Sequence, residues 1–206
     1  MKYSPKLFVI SAPSGAGKTT LVKSLIKRNK NIKYSISFTT RAPRKNEKEG
    51  IDYFFVTLNE FNKLKNKNEF IEFAEVFNNF YATSKSQIKN IIENGDHVVL
   101  EIDWQGAQQV RNSMPECVSI FIMPPSQSIL RQRLESRATD DDDTISLRTQ
   151  EAREDMRHWS EFDYCVINDD LNTAKEELES IFLDKNNLNN TKNSKLIKKI
   201  HKILYR

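Results

Sequence analysis

Cysteine is scarce in this chain. Of 206 residues only Cys117 and Cys165 are cysteines, far apart and each in an apolar stretch. A disulfide framework is thereby excluded, and two reduced, buried thiols are expected, as in a protein of the cytoplasm. Long apolar runs are lacking too. No segment is long enough to span a bilayer, and the opening "MKYSPKLFVISAPSG" holds too short an apolar stretch for a signal peptide. A cytoplasmic protein with no membrane partner is expected. Charge of one sign is in small surplus, a net +4 with a pI near 8.9, and much of that excess lies in the last segment. So mild a balance is weak evidence for nucleic acid, and none is expected as a partner. Glycine numbers only five, against many Asn, Lys and Ile residues.

What is present suffices for one compact domain with a proper core: 38% hydrophobic and 29% charged residues over 206 positions. There is no internal repeat. Strand-like segments at about 6–11, 97–102, 117–122 and 164–167 alternate with helical patterns at about 17–29, 105–112, 126–137, 144–158 and 172–183. Such alternation predicts an α/β fold, a mainly parallel sheet with helical crossovers. The apolar strands "HVVLEID", "CVSIFIM" and "YCVI" suit a sheet covered on both faces. Between about 33 and 95 the texture changes. "YSISFTTRAP" and "IDYFFVTL" read as short strands around a basic turn, followed by helical "LNEFNKLKN" and "SKSQIKNIIEN", which together make an inserted lobe. "RATDDDDTIS" (137–146) is a polar loop between two Arg-bearing helices. An Asn-rich linker then leads to a basic amphipathic tail with Leu196, Ile197, Ile200, Ile203 and Leu204 on one face. That face is expected to pack on the core or a second subunit, with RNA or anionic lipid as the alternatives.

"SAPSGAGKTTLVKSL" (11–25) stands directly behind the apolar run Leu7-Phe8-Val9-Ile10. In the strand–GxxxxGK[ST]–helix motif, backbone N–H groups wrap the phosphates, the lysine reaches the outer ones and the hydroxyl ligates magnesium. Gly17, Lys18 and Thr19 match, and Gly15 adds a further bare position. Ala12 occupies the place of the first glycine, which is tolerable only if its φ stays negative. Ala12, Pro13, Ser14, Gly15, Ala16, Gly17, Lys18 and Thr19 are therefore the candidate cradle for ATP; the bland alternative is a glycine-rich turn that merely opens a helix. A phosphate loop also needs an acid at the end of a neighbouring strand to hold magnesium through water. "HVVLEID" offers Glu101 and Asp103, although Asp103 reads equally as a helix N-cap before "WQGAQQV".

An ordered series completes the pattern: "SFTTRAPRKNEKEGIDYFFV" (37–56), "FIEFAEVFNNFYATS" (70–84), "LEIDWQGAQQV" (100–110), "RLESRATDDDDTISLR" (133–148) and "VINDD" (166–170). With the phosphate loop, it closely resembles bacterial guanylate kinase over about residues 6–183. The resemblance implies a P-loop parallel-sheet core flanked by helices, with an inserted GMP-binding lobe and a lid. It implies transfer of the γ-phosphoryl group of ATP to GMP, with dGMP a further acceptor and Mg2+ as cofactor, in a monomer or homo-oligomer. The domain would cover about 1–184, with a core at about 1–32, 96–130 and 151–184, the lobe at about 33–95, the lid at about 131–150 and a basic tail at 185–206. A non-catalytic phosphopeptide-binding module of the same kind, or a kinase for another monophosphate, is the alternative; Lys18 and the lid arginines weigh against the first, Glu72 with Asp103 against adenine in the second.

By the family pattern, Arg41 and Arg44 hold the GMP phosphate, and Ser37, Tyr53 and Tyr81 add hydroxyl donors. Taken alone, the two arginines would read as a solvated turn; for the tyrosines, core aromatics in alternating strands are the alternative. Glu72 and Asp103, with Thr83 and Ser37 as hydroxyl partners, would meet guanine's N1–H and N2 amino group. Arg133, Arg137 and Arg148 would close the lid over the transferring group with Lys18 and Arg41, and Arg137 and Asn168 would flank the adenine. Thr19 and Glu101 are the candidate magnesium positions. Asp140 to Asp143 read as a solvated lid tip, since four adjacent carboxylates cannot converge on one ion. The chain departs from the family at Asn46, Ala82, Ser136 and Ala138, where glycines are usual, and at Glu101, where Asp is commoner. Ala82 could crowd the guanine pocket, Ala138 could stiffen the lid, and Glu101 could alter the magnesium-water geometry.

Overall fold

The computed structural model describes residues 4–76, 78–136, 142–185 and 188–205, the description of 142–145 being of the backbone alone. Nine strands are found among the described residues: β1 (Leu7–Ser11), β2 (Ile32–Tyr34), β3 (Phe38–Thr39), β4 (Phe54–Phe55), β5 (Phe70–Val76), β6 (Asn79–Ser84), β7 (His97–Glu101), β8 (Val118–Met123) and β9 (Tyr164–Ile167). They form a five-stranded sheet of order β2-β7-β1-β8-β9 and a four-stranded sheet of order β4-β3-β6-β5. The result is the expected α/β architecture with a parallel-sheet core and flanking helices. The chain divides into two compact units, Met1–Val9 with Lys30–Val118 and Ile10–Asn29 with Ser119–Arg206. This division cuts differently from a core–lobe–lid partition, because residues 96–118 go with residues 33–95.

In the first unit β2 pairs in parallel with β7, Ile32 opposite His97 and Tyr34 opposite Val99. The "YSIS" stretch therefore begins on the larger sheet. The smaller sheet is built on a hairpin that the sequence reading did not resolve into strands. β5 and β6 run antiparallel from Phe70/Ser84 to Val76/Asn79, and Asn78 adopts φ 59° at the turn, a conformation that Asn tolerates better than most residues. On β5, Phe70, Glu72 and Ala74 are buried in strict alternation, the period of a half-covered strand. Phe61, Phe70 and Ala82 form a hydrophobic core cluster beside the smaller sheet, with Phe38, Val56, Leu64, Phe73 and Phe80 packed around it. Helix α1 (Lys18–Arg28) belongs to the other unit; here α2 (Leu58–Asn66) starts with a full capping box, Thr57 with Glu60. Ser84 caps α3 (Lys85–Glu93), and Asp103 caps α4 (Trp104–Ser113).

In the second unit β8 and β9 are parallel, Ile120 opposite Tyr164 and Met123 opposite Ile167. Ile120, Phe121, Ile122 and Met123 are all fully buried, as an apolar run without alternation requires. Four more helices complete it: α5 (Gln127–Glu135), α6 (Asp142–Arg157), α7 (Leu171–Phe182) and α8 (Ser194–Leu204). The tail packs on this unit. Leu196 and Ile200 of α8 are buried, the Gln127 amide donates to Leu204 O at 2.9 Å, and Asn189 exchanges hydrogen bonds with the Cys165 backbone. Both cysteines are buried and free, and burial pushes the Cys165 thiol well above its ordinary range. No described helix is long and apolar enough to cross a membrane.

Candidate functional site

The second unit carries the phosphate loop. β1 ends in buried Ile10 and Ser11, and the chain then turns through Gly15 at φ 85° and Gly17 at φ 91°. Both values lie in the left-handed region, where a Cβ is penalised. Ala12 is not among the non-glycine residues with positive φ, which meets the condition its Cβ imposes. Gly17 is also the N-cap of α1 and, having no side chain, offers it no side-chain hydrogen bond. Lys18 and Thr19 follow in its first turn.

The back of this loop is tied down. Asn168, only 4% exposed, donates from Nδ2 to Ala16 O at 2.7 Å. A Cβ on Gly17 would stand 2.4 Å from the same Nδ2, so this glycine is needed for close approach as well as for its φ. Arg133, in the last turn of α5, donates to Asn168 O at 3.1 Å and reaches Ala16 O at 3.5 Å. Leu130 and Leu134 press on Gly15 from the same helix. Arg148 lies half-buried on α6. Arg137, Ala138, Asp140 and Asp141 lie outside the described residues, as do the side chains of Asp142 and Asp143.

The first unit gathers the remaining candidates. Arg41 forks onto Glu47, Nη2 donating to Oε1 at 2.8 Å and to Oε2 at 2.9 Å, while Nη1 donates to Ala42 O at 2.7 Å. Its guanidinium stands 5.4 Å from the centre of the Tyr53 ring, within cation–π range, and the rings of Tyr53 and Tyr81 are 6.0 Å apart. Glu47 also accepts the Arg44 N–H at 2.8 Å. Burial alone would raise the Glu47 carboxyl, but the hydrogen bonds from Arg41 and the Arg44 amide hold it below the usual carboxylate value. Arg44 itself is exposed and Ser37 buried. Sequence reasoning named both arginines and missed Glu47, which fixes their turn; an acid six residues beyond Arg41 is the signal that could have found it.

Glu72 is 3% exposed on β5, and its Oε1 accepts a 2.6 Å hydrogen bond from Thr83 Oγ1 on the paired strand. The bulge in the β5–β6 register, which falls between Phe70 and Glu72, sets Glu72 opposite Thr83. Ala82 is fully buried in the lobe's aromatic core. Asp103 caps α4, Oδ1 accepting from Gly106 N at 2.7 Å. The capping reading of Asp103 therefore holds, and the cap engages one carboxylate oxygen. Glu101 ends β7. Tyr34, which the sequence reading passed over, is raised well above its ordinary value by burial and then by the charge of Glu101. Tyr53 is raised in the same direction by burial, with Tyr81 and Glu101 adding to it. Among the described residues no three His, Cys, Asp or Glu side chains form an all-protein metal site. A threonine hydroxyl and a single carboxylate are instead the hard-oxygen donors that magnesium takes alongside nucleotide phosphates.

Comparison with known proteins identifies the family. The family model described as guanylate kinase matches residues 4–185. The chain is similar to the guanylate kinase of Hahella chejuensis, 51% identical over 177 residues covering 86% of this chain and 85% of that one. It is likewise 51% identical to the guanylate kinase of Pseudomonas fluorescens over 85% of each chain. Among solved structures it resembles guanylate kinase from Anaplasma phagocytophilum, with 33% identity, a TM-score of 0.75, and coverage of 98% of this chain and 96% of that one.

Proposed function

The chain belongs to the guanylate kinase family, and from that premise we propose that it transfers the γ-phosphoryl group of ATP to GMP, giving ADP and GDP. The observation that carries this reading is the buried Glu72 carboxylate held by Thr83. A carboxylate fixed in so buried a place is a strong acceptor for paired donors. Guanine's N1–H and N2 amino group are two donors on one edge, whereas adenine presents a lone pair at N1. Such a hydrogen-bonding site rejects the wrong base by about 10⁴-fold or more.

The remaining chemistry is positioning and charge neutralisation. A phosphate monoester has its second pKa near about 6, so GMP arrives already nucleophilic and needs no general base. The obstacle is the repulsion between two anions brought into line. On the ATP side, the loop amides of residues 14–17 and Lys18 bind the phosphates, with Asn168 and Arg133 holding the loop's shape. Arg137 and Asn168 would flank the adenine, and Arg133, Arg137 and Arg148 would neutralise the transferring group while excluding water. On the GMP side, Arg41 and Arg44 bind the phosphate and Ser37, Tyr53 and Tyr81 donate hydroxyls. Arg41 is stored on Glu47 until a phosphate replaces that carboxylate. Thr19 and, through water, Glu101 would hold Mg2+, which supplies Lewis-acid stabilisation of the phosphate oxygens when bound. A cytoplasmic site of action follows from where both nucleotides are found.

A coupled assay of ADP release with Mg2+ and GMP, AMP, dTMP or UMP tests this directly. GMP alone among the four should turn over, and Lys18→Ala should lower kcat by about 10²- to 10³-fold. ATP consumption that never yields GDP, or a Lys18→Ala protein with intact turnover, would refute the assignment.

A further inference from the structure

Gly106 lies three residues into α4, buried, with a φ that carries no need for glycine. A glycine inside a helix is ordinarily a liability, so its backbone gives no reason for it. Its surroundings do. A Cβ built on Gly106 would stand 2.6 Å from Glu72 Oε2, 3.2 Å from Glu72 Cδ and 3.4 Å from Asp103 Oδ1. The same residue donates its N–H to that Asp103 oxygen at 2.7 Å.

A flexible glutamate would normally swing away from an added methyl group. Here neither side can yield. Oε1 of Glu72 is held by Thr83 at 2.6 Å in a site only 3% exposed. The helix is equally fixed: one turn on, Gln109 accepts Phe73 N–H at 3.2 Å and donates to Phe73 O at 2.8 Å. That amide satisfies both backbone groups of Phe73 on edge strand β5, so α4 is stitched to the strand that bears Glu72. We propose that Gly106 is a positioning residue for base selection, its bare Cα defining where the Glu72 carboxylate lies and its amide defining where Asp103 lies. The proposal rests on the reading of Glu72 and Asp103 as the groups that meet guanine.

The test measures Gly106→Ala with GMP and with inosine monophosphate, which lacks the 2-amino group, alongside Glu72→Gln and melting curves for all variants. Gly106→Ala should raise the KM for GMP and lower the GMP-over-IMP preference by about tenfold or more each, with the KM for ATP within about twofold of wild type. Added to Glu72→Ala, the same substitution should change neither KM nor preference and should leave the melting temperature unlowered, because the clashing carboxylate is gone. If Gly106→Ala does not fold, a folded Glu72→Ala/Gly106→Ala protein supports the inference and an unfolded one overturns it. An unchanged GMP KM, or an equal loss of melting temperature in both backgrounds, also overturns it. Glu72→Gln separates the two levels. If it retains the GMP-over-IMP preference, the base-recognition reading itself has failed; if it loses that preference while Gly106→Ala keeps it, only the role of Gly106 has.

Discussion

The two compact units hold their polar groups by opposite means. In the second unit the phosphate loop is secured through its own backbone: Asn168 and Arg133 reach a main-chain carbonyl, Ala16 O. In the first unit the decisive contacts join side chain to side chain, Arg41 to Glu47 and Glu72 to Thr83. On the proposed function, the difference follows from the tasks. A triphosphate presents the same oxygens whatever base it carries, so a rigid set of amides suffices, and a backbone can be held only from behind. A base edge must be told from its near relatives, and only side-chain groups placed beforehand by their neighbours can do so.

The comparison breaks if a change behind the loop harms both nucleotides alike. Asn168→Ala removes the buried donor to Ala16 O and leaves that carbonyl with the long contact from Arg133. A buried acceptor left with so weak a partner costs up to about 1–3 kcal/mol, so the KM for ATP should rise by about tenfold to a hundredfold while the KM for GMP stays put. Steady-state kinetics with each nucleotide varied in turn decides the point. A GMP KM that rises in parallel would mean that the two halves are not independently held.

The sheet strands and most helices were legible because their signals are local. The runs at Leu7–Ile10 and Ile120–Met123 are apolar without a break, and "LNEFNKLKN" is α2 residue for residue. The β5–β6 hairpin was not, because Glu72 interrupts the apolar face of β5 and its burial depends on Thr83 from another strand. Asn168 was singled out in "VINDD" by resemblance alone, and its bond to Ala16 spans 152 positions, a distance that no spacing rule reaches. The same holds for Gly106: the sequence shows a glycine after a helix start, and only the approach of Glu72 shows what it is for.

On the lobe side the expected effects are smaller. Arg41→Lys keeps the charge but loses the fork that now grips both Glu47 oxygens. Bidentate geometry is what distinguishes the two cations, so the KM for GMP should rise about tenfold with the KM for ATP unchanged; equal affinity for GMP would show that Arg41 acts as a point charge.

Glu47→Gln probes the partner, and the effect should be the smallest, because this ion pair is partly open to solvent and such pairs are worth no more than about 1 kcal/mol. Its signature is the pH dependence. Burial favours protonation of Glu47, but the bonds from Arg41 and the Arg44 amide outweigh it and leave the carboxyl below its ordinary 4.5. A group whose pKa falls on folding stabilises the folded state above its unfolded pKa and loses that contribution as the pH drops through the folded value. Wild type should therefore melt slightly above Glu47→Gln at every pH from neutral down to about 5, and the gap should close as the medium becomes more acidic than the ordinary carboxylate value. Melting curves of both proteins across that range measure it, and a gap that stays constant into strong acid would show that Glu47 holds the turn by shape and not by charge.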